Sequence, residues 1–287
     1  MSDTQMVFER YERKYLLDPS AKAAVLAAMN GRMQLDRYGK TTIRNLYFDT
    51  ADYDLIRTSL SGPEYKEKLR IRSYRQVDSG DEVFVELKKK YKGIVYKRRV
   101  RIPEFQAMDW LCAGGGRPET EVPVDLEALL DPQAAKAQEQ PNFRIISEEI
   151  DRFFRRYERS EMAPKVFLGY DREAYAPIDP DPYMAGFRVT FDTNILARGD
   201  DLKLSSGVYG DRIIPEDLTV MELKVRKDGA IPLWMARCLS ENRIFRQSFS
   251  KYGRYYKDTI FEKTHTVITP EREDVFGCSL KGELIYV

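Results

Sequence analysis

The feature that most constrains the fold is the alternation of apolar and charged residues with the period of two that a β-strand shows. The clearest case is the segment 64–75, whose charged face carries Lys66, Lys68, Arg70 and Arg72. Leu69 and Ile71 lie on the opposite face. Because neighbouring like charges repel each other, four cations in a row do not favour stability. We therefore expect a polyanion to lie against this face.

The same alternation recurs in the segments 83–90, 93–102, 187–195 and 218–226. Their charged faces carry, in chain order, Glu86 and Lys88, then Lys97, Arg99 and Arg101, then Arg188, Thr190 and Asp192, and finally Glu222, Lys224 and Arg226. An ordinary half-solvated antiparallel sheet explains any one of these segments. Five segments with a similar face fit better a sheet that closes into a barrel, with the charges inside and helices packed outside.

Turn and cap signals divide the chain into an α+β order of elements. Strands are predicted at 7–17, 42–48, 64–75, 83–90, 93–102, 164–175, 187–196 and 218–226. Helices are predicted at 21–29, 51–60, 103–112, 124–137, 143–162, 232–242 and 250–261. The glycine run at 113–118 is interpreted as a linker, since it lacks the preceding strand and following lysine-serine of a P-loop. We expect one domain over residues 1–261 and a tail at 262–287 to which the pattern assigns no role.

Composition shows that any cationic surface must be local. Lys plus Arg (47) nearly equals Asp plus Glu (46), although 32% of the residues are charged. This balance excludes a general polyanion binder of the histone kind.

Cys112, Cys238 and Cys278 have no metal-ligand spacing, which predicts free thiols in a reducing compartment. A polar start and the lack of a long apolar run predict a cytoplasmic protein without a signal peptide or an intrinsic membrane segment.

The content of catalytic residue types restricts the chemistry. His265 is the only histidine, so serine–histidine and cysteine–histidine nucleophiles and histidine metal sites are excluded. Arginine forks and lysine ammonium groups suit phosphate oxygens. Glu222, on the charged face with Lys224 and Arg226, is a candidate ligand for Mg²⁺ or Mn²⁺ that is held jointly by protein and phosphate. The alternative interpretation of Glu222 is an internal salt-bridge partner.

Nine short motifs follow one another along roughly residues 8–257. They are Glu12-Arg13-Lys14-Tyr15, Leu46-Tyr47-Phe48-Asp49-Thr50, Leu69-Arg70-Ile71-Arg72-Ser73-Tyr74, Val85-Glu86-Leu87-Lys88, Tyr96-Lys97-Arg98-Arg99, Tyr170-Asp171-Arg172, Phe187-Arg188-Val189-Thr190-Phe191-Asp192-Thr193, Met221-Glu222-Leu223-Lys224 and Ser248-Phe249-Ser250-Lys251-Tyr252. With these motifs in this order, the chain resembles the catalytic VTC domain, the polyphosphate polymerase of the CYTH or triphosphate tunnel superfamily.

The resemblance implies a closed eight-stranded antiparallel β-barrel, the triphosphate tunnel, with a basic lumen. It implies catalytic, phosphate-gripping roles for Lys14, Arg70, Arg72, Lys88, Lys97, Arg172, Arg188 and Lys251. It implies substrate-binding roles for Glu12, Arg57, Lys68, Arg99 and Lys224, and a metal-binding role for Glu222 with Mn²⁺ or Mg²⁺ as cofactor. The implied partners are ATP, inorganic polyphosphate and a pyrophosphate or phosphate primer, together with a membrane protein that could receive the product.

Two departures and two alternatives accompany this resemblance. Tunnel triphosphatases open with Glu-x-Glu-x-Lys, whereas Arg10 stands at the first of these positions, which argues against a hydrolase. Ser248 stands where similar polymerases carry lysine. The alternatives to a polymerase are a metal-dependent tripolyphosphatase or nucleoside triphosphatase on the same fold, and a non-catalytic polyphosphate-binding module. The basic faces have few aromatic residues on which bases could stack, which argues against nucleic acid as a ligand.

Overall fold

The computed structural model describes residues 8–112, 143–157, 162–179, 184–226 and 229–262, with side chains from residue 11 onward. The strands are β1 (Phe8–Leu17), β2 (Met33–Asp49), β3 (Tyr65–Ser73), β4 (Glu82–Tyr91), β5 (Ile94–Pro103), β6 (Ala163–Pro177), β7 (Arg188–Arg198), β8 (Asp211–Arg212) and β9 (Thr219–Arg226). The helices are α1 (Pro19–Met29), α2 (Asp54–Leu60), α3 (Glu104–Leu111), α4 (Phe143–Arg156), α5 (Leu233–Glu241) and α6 (Lys251–Tyr255), which continues as a π-helix over Tyr256–Phe261.

The strands form one antiparallel sheet in the order β6-β2-β3-β4-β5-β1-β9-β7-β8, and β6 pairs with β7 as well as with β2. The predicted antiparallel sheet is thereby confirmed. Its register places Glu86 of β4 directly between Arg70 of β3 and Arg99 of β5. Side chains that are opposite each other on adjacent strands lie on one face, so the charged faces of the separate strands become one continuous surface.

Four helices pack on the other face of the sheet, over two apolar clusters. Helices α3 and α4 cover β2 to β5, and the stripe of α4 that includes Ile150 and Phe154 is fully buried there. Helices α1 and α5 cover β1, β7 and β9, where Met235 and Leu223 lie in one cluster. A third cluster joins α2 and α6 to β2 and β6 on the same face as the charged residues, since its Tyr47 lies directly opposite Arg70 in the register. Each large side chain buried in this way contributes about 1.5–3 kcal/mol, so the first two clusters hold α1, α3, α4 and α5 on the face away from the charges.

Several element boundaries differ from those predicted. Strand β2 begins at Met33 and not at 42, because residues 33–35 pair with the end of β6. The sequence pattern missed this part of the strand, since Leu35 is 43% exposed and buried and exposed side chains do not alternate before residue 42. Helix α2 begins at Asp54 and not at 51, because Tyr53 has a φ of 60°, which no α-helix contains. The predicted helix at 124–137, the glycine run and the tail from 263 lie outside the described residues. No helix of the described ranges is long and apolar enough to cross a membrane.

Candidate functional site

The charged face of the sheet lines a cavity of about 770 Å³. Fourteen of its lining residues are basic, namely Lys14, Lys66, Lys68, Arg70, Arg72, Lys88, Lys90, Lys97, Arg172, Lys224, Arg246, Lys251, Arg254 and Lys257. Two, Glu12 and Glu222, are acidic. Since the whole chain carries a net charge of only +1, the cavity concentrates positive charge that the rest of the molecule balances.

The segment 246–250, between α5 and α6, contributes one wall of this cavity. The backbone N–H of Gln247 donates to the carbonyl of Lys14 at 2.8 Å, and Lys14 Nζ donates to the carbonyl of Phe249 at 2.9 Å. Ser250 caps α6, since its Oγ accepts the N–H of Gly253 at 3.1 Å. These bonds hold the start of α6, and with it Lys251, beside β1 at the wall of the cavity.

A network centred on Glu86 orients four of the basic side chains. Its Oε2 accepts hydrogen bonds from Arg70 Nε at 2.9 Å and Nη2 at 2.7 Å, while its Oε1 lies 2.6 Å from Lys97 Nζ and pairs with Arg99. Arg72 Nε lies 3.7 Å from Oε2. Burial by itself raises the pKa of Glu86, but the charges of these four cations outweigh it and hold the pKa well below its ordinary value. Glu86 is therefore ionised and fixes the direction in which these cations point.

A second network joins β6, β7 and α6 through Asp192. Arg172 donates from Nε to Oδ1 at 2.5 Å and from Nη2 to Oδ2 at 2.7 Å, and Lys251 pairs with the same Oδ2. Burial raises the pKa of Asp192, but Arg172 and Lys251 lower it further than burial raises it. The ring of Tyr170 lies 5.2 Å from the Arg172 guanidinium and 4.6 Å from Lys251 Nζ, within cation–π range of both. Asp192 thus brings cations from two distant parts of the chain to one wall.

Glu222 of β9 is a carboxylate that lies among cavity cations of β1, β6 and β9. Its oxygens lie 3.1 Å from Lys224 Nζ, 4.0 Å from Lys14 Nζ and 3.9 Å from Arg172 Nη2. Burial raises the pKa of Glu222, but Lys224, Lys14, Lys88 and Arg172 hold it well below the ordinary value. An ionised oxygen donor of this kind suits a hard divalent cation.

The surroundings of Glu222 restrict how a metal ion could be held. In the ranges that the structure describes, no group of three or more His, Cys, Asp or Glu side chains is arranged to hold one. Mg²⁺ is commonly bound by one or two carboxylates together with substrate phosphates. The residues therefore fit a metal ion that Glu222 shares with a bound phosphate, and not a preformed all-protein site.

Most of the residues predicted for the site line this one cavity. Those that do are Glu12, Lys14, Lys68, Arg70, Arg72, Lys88, Lys97, Arg172, Glu222, Lys224 and Lys251. Three predicted residues do not line it. Arg99 turns to Glu86 and to Tyr74, whose Oη accepts its Nη2 at 2.9 Å. Arg188 is 44% exposed and pairs with Asp36 at 2.6 Å.

The third predicted residue away from the cavity is Arg57, which lies on α2 and donates to the carbonyl of Asp52 at 3.4 Å. Conversely, the sequence did not single out Tyr47, whose Oη accepts from Arg70 Nη1 at 2.8 Å. Burial raises the pKa of Tyr47, but Arg70 and Arg72 outweigh it and lower the value. Arg254 and Lys257 also line the cavity, and their spacing from Lys251 along one helical face was the available signal.

Comparison with known proteins places this geometry in a family. The family model of the VTC domain matches residues 9–259. Among solved structures, a putative adenylate cyclase from Bacillus halodurans is 13% identical, with 86% of this chain and 96% of that chain covered and a TM-score of 0.50. A putative adenylyl cyclase from Hippeastrum with a dominant triphosphatase activity is 16% identical, with 86% and 95% covered and a TM-score of 0.44. The comparison with curated protein sequences found no match.

The Bacillus halodurans structure shows that this chain shares its overall fold with that protein. The family match is stronger, because it extends over every strand that contributes to the cavity, from β1 to β9, and over α6. The chain therefore belongs to the VTC domain family.

Proposed function

We propose that this protein is a metal-dependent polyphosphate polymerase, which transfers the γ-phosphate of ATP to the end of a growing inorganic polyphosphate chain. The observation that carries the proposal is the cavity of about 770 Å³ with fourteen basic lining residues. A triphosphate and a linear polyphosphate are both flexible, densely charged anions, and many separate cations along one cavity match them better than a single anion pocket does.

The proposal includes a sheet that is closed into an eight-stranded tunnel. The pairing of β6 with both β2 and β7 supports closure, since it gives the long strands at the two ends of the sheet a hydrogen-bonded contact with each other. A tunnel would let the linear product leave by one end while the walls keep water away from the reacting phosphates. This arrangement favours chain growth over hydrolysis.

In the proposed reaction, an oxygen of the terminal phosphate of the chain attacks the γ-phosphorus of ATP. The new bond joins that oxygen to the γ-phosphorus, and the bond from the γ-phosphorus to the bridging oxygen of the β-phosphate breaks, so that ADP leaves. The nucleophile is already anionic near neutral pH, so no dedicated base is needed. Catalysis then consists of in-line positioning and neutralisation of charge on the transferred phosphoryl group.

The positions of the cations suit this role. Arg70, held by Glu86 and Tyr47, presents a guanidinium whose direction is fixed before substrate arrives. Arg172 of β6 and Lys251 of α6, both held by Asp192, do the same. Cations that are already oriented lose little freedom when charge develops in the transition state, which is the main source of catalytic power in such sites. The basic side chains therefore act as a preorganised clamp.

Glu222 would hold Mg²⁺ or Mn²⁺ together with phosphate oxygens of the substrate, and Lys224 beside it fixes the orientation of the carboxylate. The ion would supply further neutralisation of phosphate charge. Lys14 bridges Glu222 and the carbonyl of Phe249, so it links this end of the cavity to the segment 246–250.

Phosphorus NMR of the products tests the proposal. The purified protein is incubated with ATP, Mn²⁺ or Mg²⁺ and a trace of pyrophosphate, and we expect a signal from internal phosphates to grow in step with ADP. Arg70→Gln should abolish this signal, whereas Arg75→Gln, which changes an arginine whose side chain is 70% exposed, should leave it unchanged. Orthophosphate with ADP and no internal phosphate would establish the triphosphatase instead. Tight anion binding without turnover would establish a binding module.

A further inference from the structure

Lys68 differs from its neighbours on the cavity wall in the partners that the protein provides. The register aligns one row of lysines across three strands, Lys68 of β3, Lys88 of β4 and Lys97 of β5. Lys88 lies 2.6 Å from a Glu12 oxygen, and Lys97 lies 2.6 Å from Glu86. Lys68 has no carboxylate within 4.0 Å among the described residues. Its Nζ donates to Ser250 Oγ at 2.8 Å, a neutral partner.

The surroundings of Lys68 are predominantly cationic. Besides Lys68, the charged groups that line the same cavity are Glu12 and Lys14 of β1, Lys66, Arg70 and Arg72 of β3, Lys88 and Lys90 of β4, Lys97 of β5, Arg172 of β6, Glu222 and Lys224 of β9, Arg246 of the segment 246–250, and Lys251, Arg254 and Lys257 of α6 and its π-helical continuation. Both acids in this set are already bound to other lysines. Burial lowers the pKa of Lys68, and Lys14, Lys88, Lys66 and Arg70 lower it further, to well below the ordinary value.

We propose that Lys68 takes up a proton from solvent when a phosphate anion enters the cavity, so that anion binding is coupled to the charging of this side chain. The inference rests on the proposed function for the identity of the anion, a triphosphate or polyphosphate chain. The anion supplies the countercharge that the described protein groups do not. One N–H of the resulting ammonium group stays on Ser250 Oγ, and the other two donate to phosphate oxygens.

Ser250 completes this phosphate contact. Its Oγ accepts from both Lys68 Nζ and the backbone N–H of Gly253, which occupies its two lone pairs. The hydroxyl proton of Ser250 is then available for donation to a ligand, and the residue lines the cavity. Lys68 and Ser250 together form a donor pair whose net charge depends on whether the anion is present.

The coupling has a defined pH dependence. A bound anion raises the pKa of Lys68 from its lowered value in the empty cavity, and between these two values each binding event takes up as much as about one proton. Over that range the affinity for the anion falls as the pH rises, by at most roughly tenfold per pH unit. Arginine at this position remains charged throughout, so Lys68→Arg should bind the anion without this proton uptake.

Isothermal titration calorimetry of inorganic tripolyphosphate tests the inference. Titrations in EDTA, which prevents metal-dependent turnover, are run in buffers of different ionisation enthalpy across about pH 6 to 9 to count the protons taken up. We expect the wild type to exceed Lys68→Arg by up to about one proton. Lys66→Arg is the matched control, since Lys66 lies on the same face of β3 with its Nζ on the Ser59 carbonyl at 3.0 Å. This control should keep the wild-type proton uptake.

A second variant, Lys68→Met, removes the charge and the hydrogen-bond donor that Lys68→Arg keeps. Lys68→Met should weaken tripolyphosphate binding by roughly tenfold to a hundredfold at low pH, because a charge-assisted hydrogen bond is lost. It should also remove the steep part of the pH dependence. Circular dichroism confirms that each variant is folded.

The coupling is refuted if Lys68→Arg takes up as many protons as the wild type, since protonation of the ligand itself is common to both. Failure to bind tripolyphosphate at all would overturn this inference and the proposed function together. The proposed function alone would fail if ATP were turned over without chain growth, and that result would leave the measured proton uptake intact.

Discussion

Replacement of Glu86 by glutamine should change stability and anion affinity in opposite directions. Glu86 is completely buried, and its two oxygens contact Arg70, Lys97 and Arg99 directly. Glutamine has the same shape but no charge, and its amide nitrogen is a donor that faces other donors. Glu86→Gln therefore leaves the cations of the network without their common counterion.

The cost of this change follows from the burial of the group. Removal of one partner from a buried ion pair costs about 3–5 kcal/mol. The guanidinium of Arg70 and the ammonium group of Lys97 lie at the cavity wall with 13% and 11% of their side chains exposed. Water that reaches them reduces the cost, so we expect a loss of about 3 kcal/mol in the free energy of unfolding.

A bound polyphosphate should recover part of this loss. In the wild type, Glu86 and the anion compete for the same cations, whereas in Glu86→Gln the anion is the principal counterion. We expect tripolyphosphate to bind the variant about tenfold more tightly, which corresponds to about 1.4 kcal/mol of additional ligand-induced stabilisation. Turnover should nevertheless fall by roughly a hundredfold, because the cations are no longer held in the productive direction.

Urea unfolding with and without saturating tripolyphosphate measures both effects. Glu82→Gln is the matched control, since Glu82 lies on the same strand in an exposed pair, 3.3 Å from Arg101, where a change of less than about 0.5 kcal/mol is expected. If Glu86→Gln were as stable as the wild type and gained no more from the ligand, the argument that Glu86 is the shared counterion would be refuted.

Three further predictions concern buried polar groups. Asp49→Asn should lower the free energy of unfolding by about 2–4 kcal/mol in a urea titration, since four donors share two carboxylate oxygens and the amide offers one; an unchanged midpoint would contradict this. Arg198→Lys should cost about 1–3 kcal/mol, because the guanidinium donates to four backbone carbonyls between residues 201 and 209 that lysine cannot reach together; equal stability would show that these bonds are dispensable. The pKa values of Glu86 and Asp192 are lowered in the folded state, so the stability they contribute is present above about pH 4.5 and is lost as the pH falls through the lowered values. Melting temperatures measured downward from about pH 5 should therefore fall less steeply in Glu86→Gln than in the wild type.

The sequence determined where eight of the nine strands lie, apart from the start of β2, and which side of the alternating strands is charged. These properties are local, because side chains alternate along any extended backbone and the helix caps lie beside the helices they start. The basic residues of β3 could therefore be assigned to one face, and the caps Asp18 and Ser250 lie next to α1 and α6. The family motifs extended this knowledge to most residues of the cavity.

The arrangement of the charges relative to one another was decided by the tertiary structure alone. Electrostatic energy depends on distances between groups on different strands, and those distances follow from pairing and register, which alternation within one strand does not specify. Lys14 meets the Phe249 carbonyl across 235 positions of sequence, and Lys68 meets Ser250 across 182. The same long-range packing paired Arg188 with Asp36, left Glu86 shared by several cations, and left Lys68 without a nearby carboxylate among the described residues.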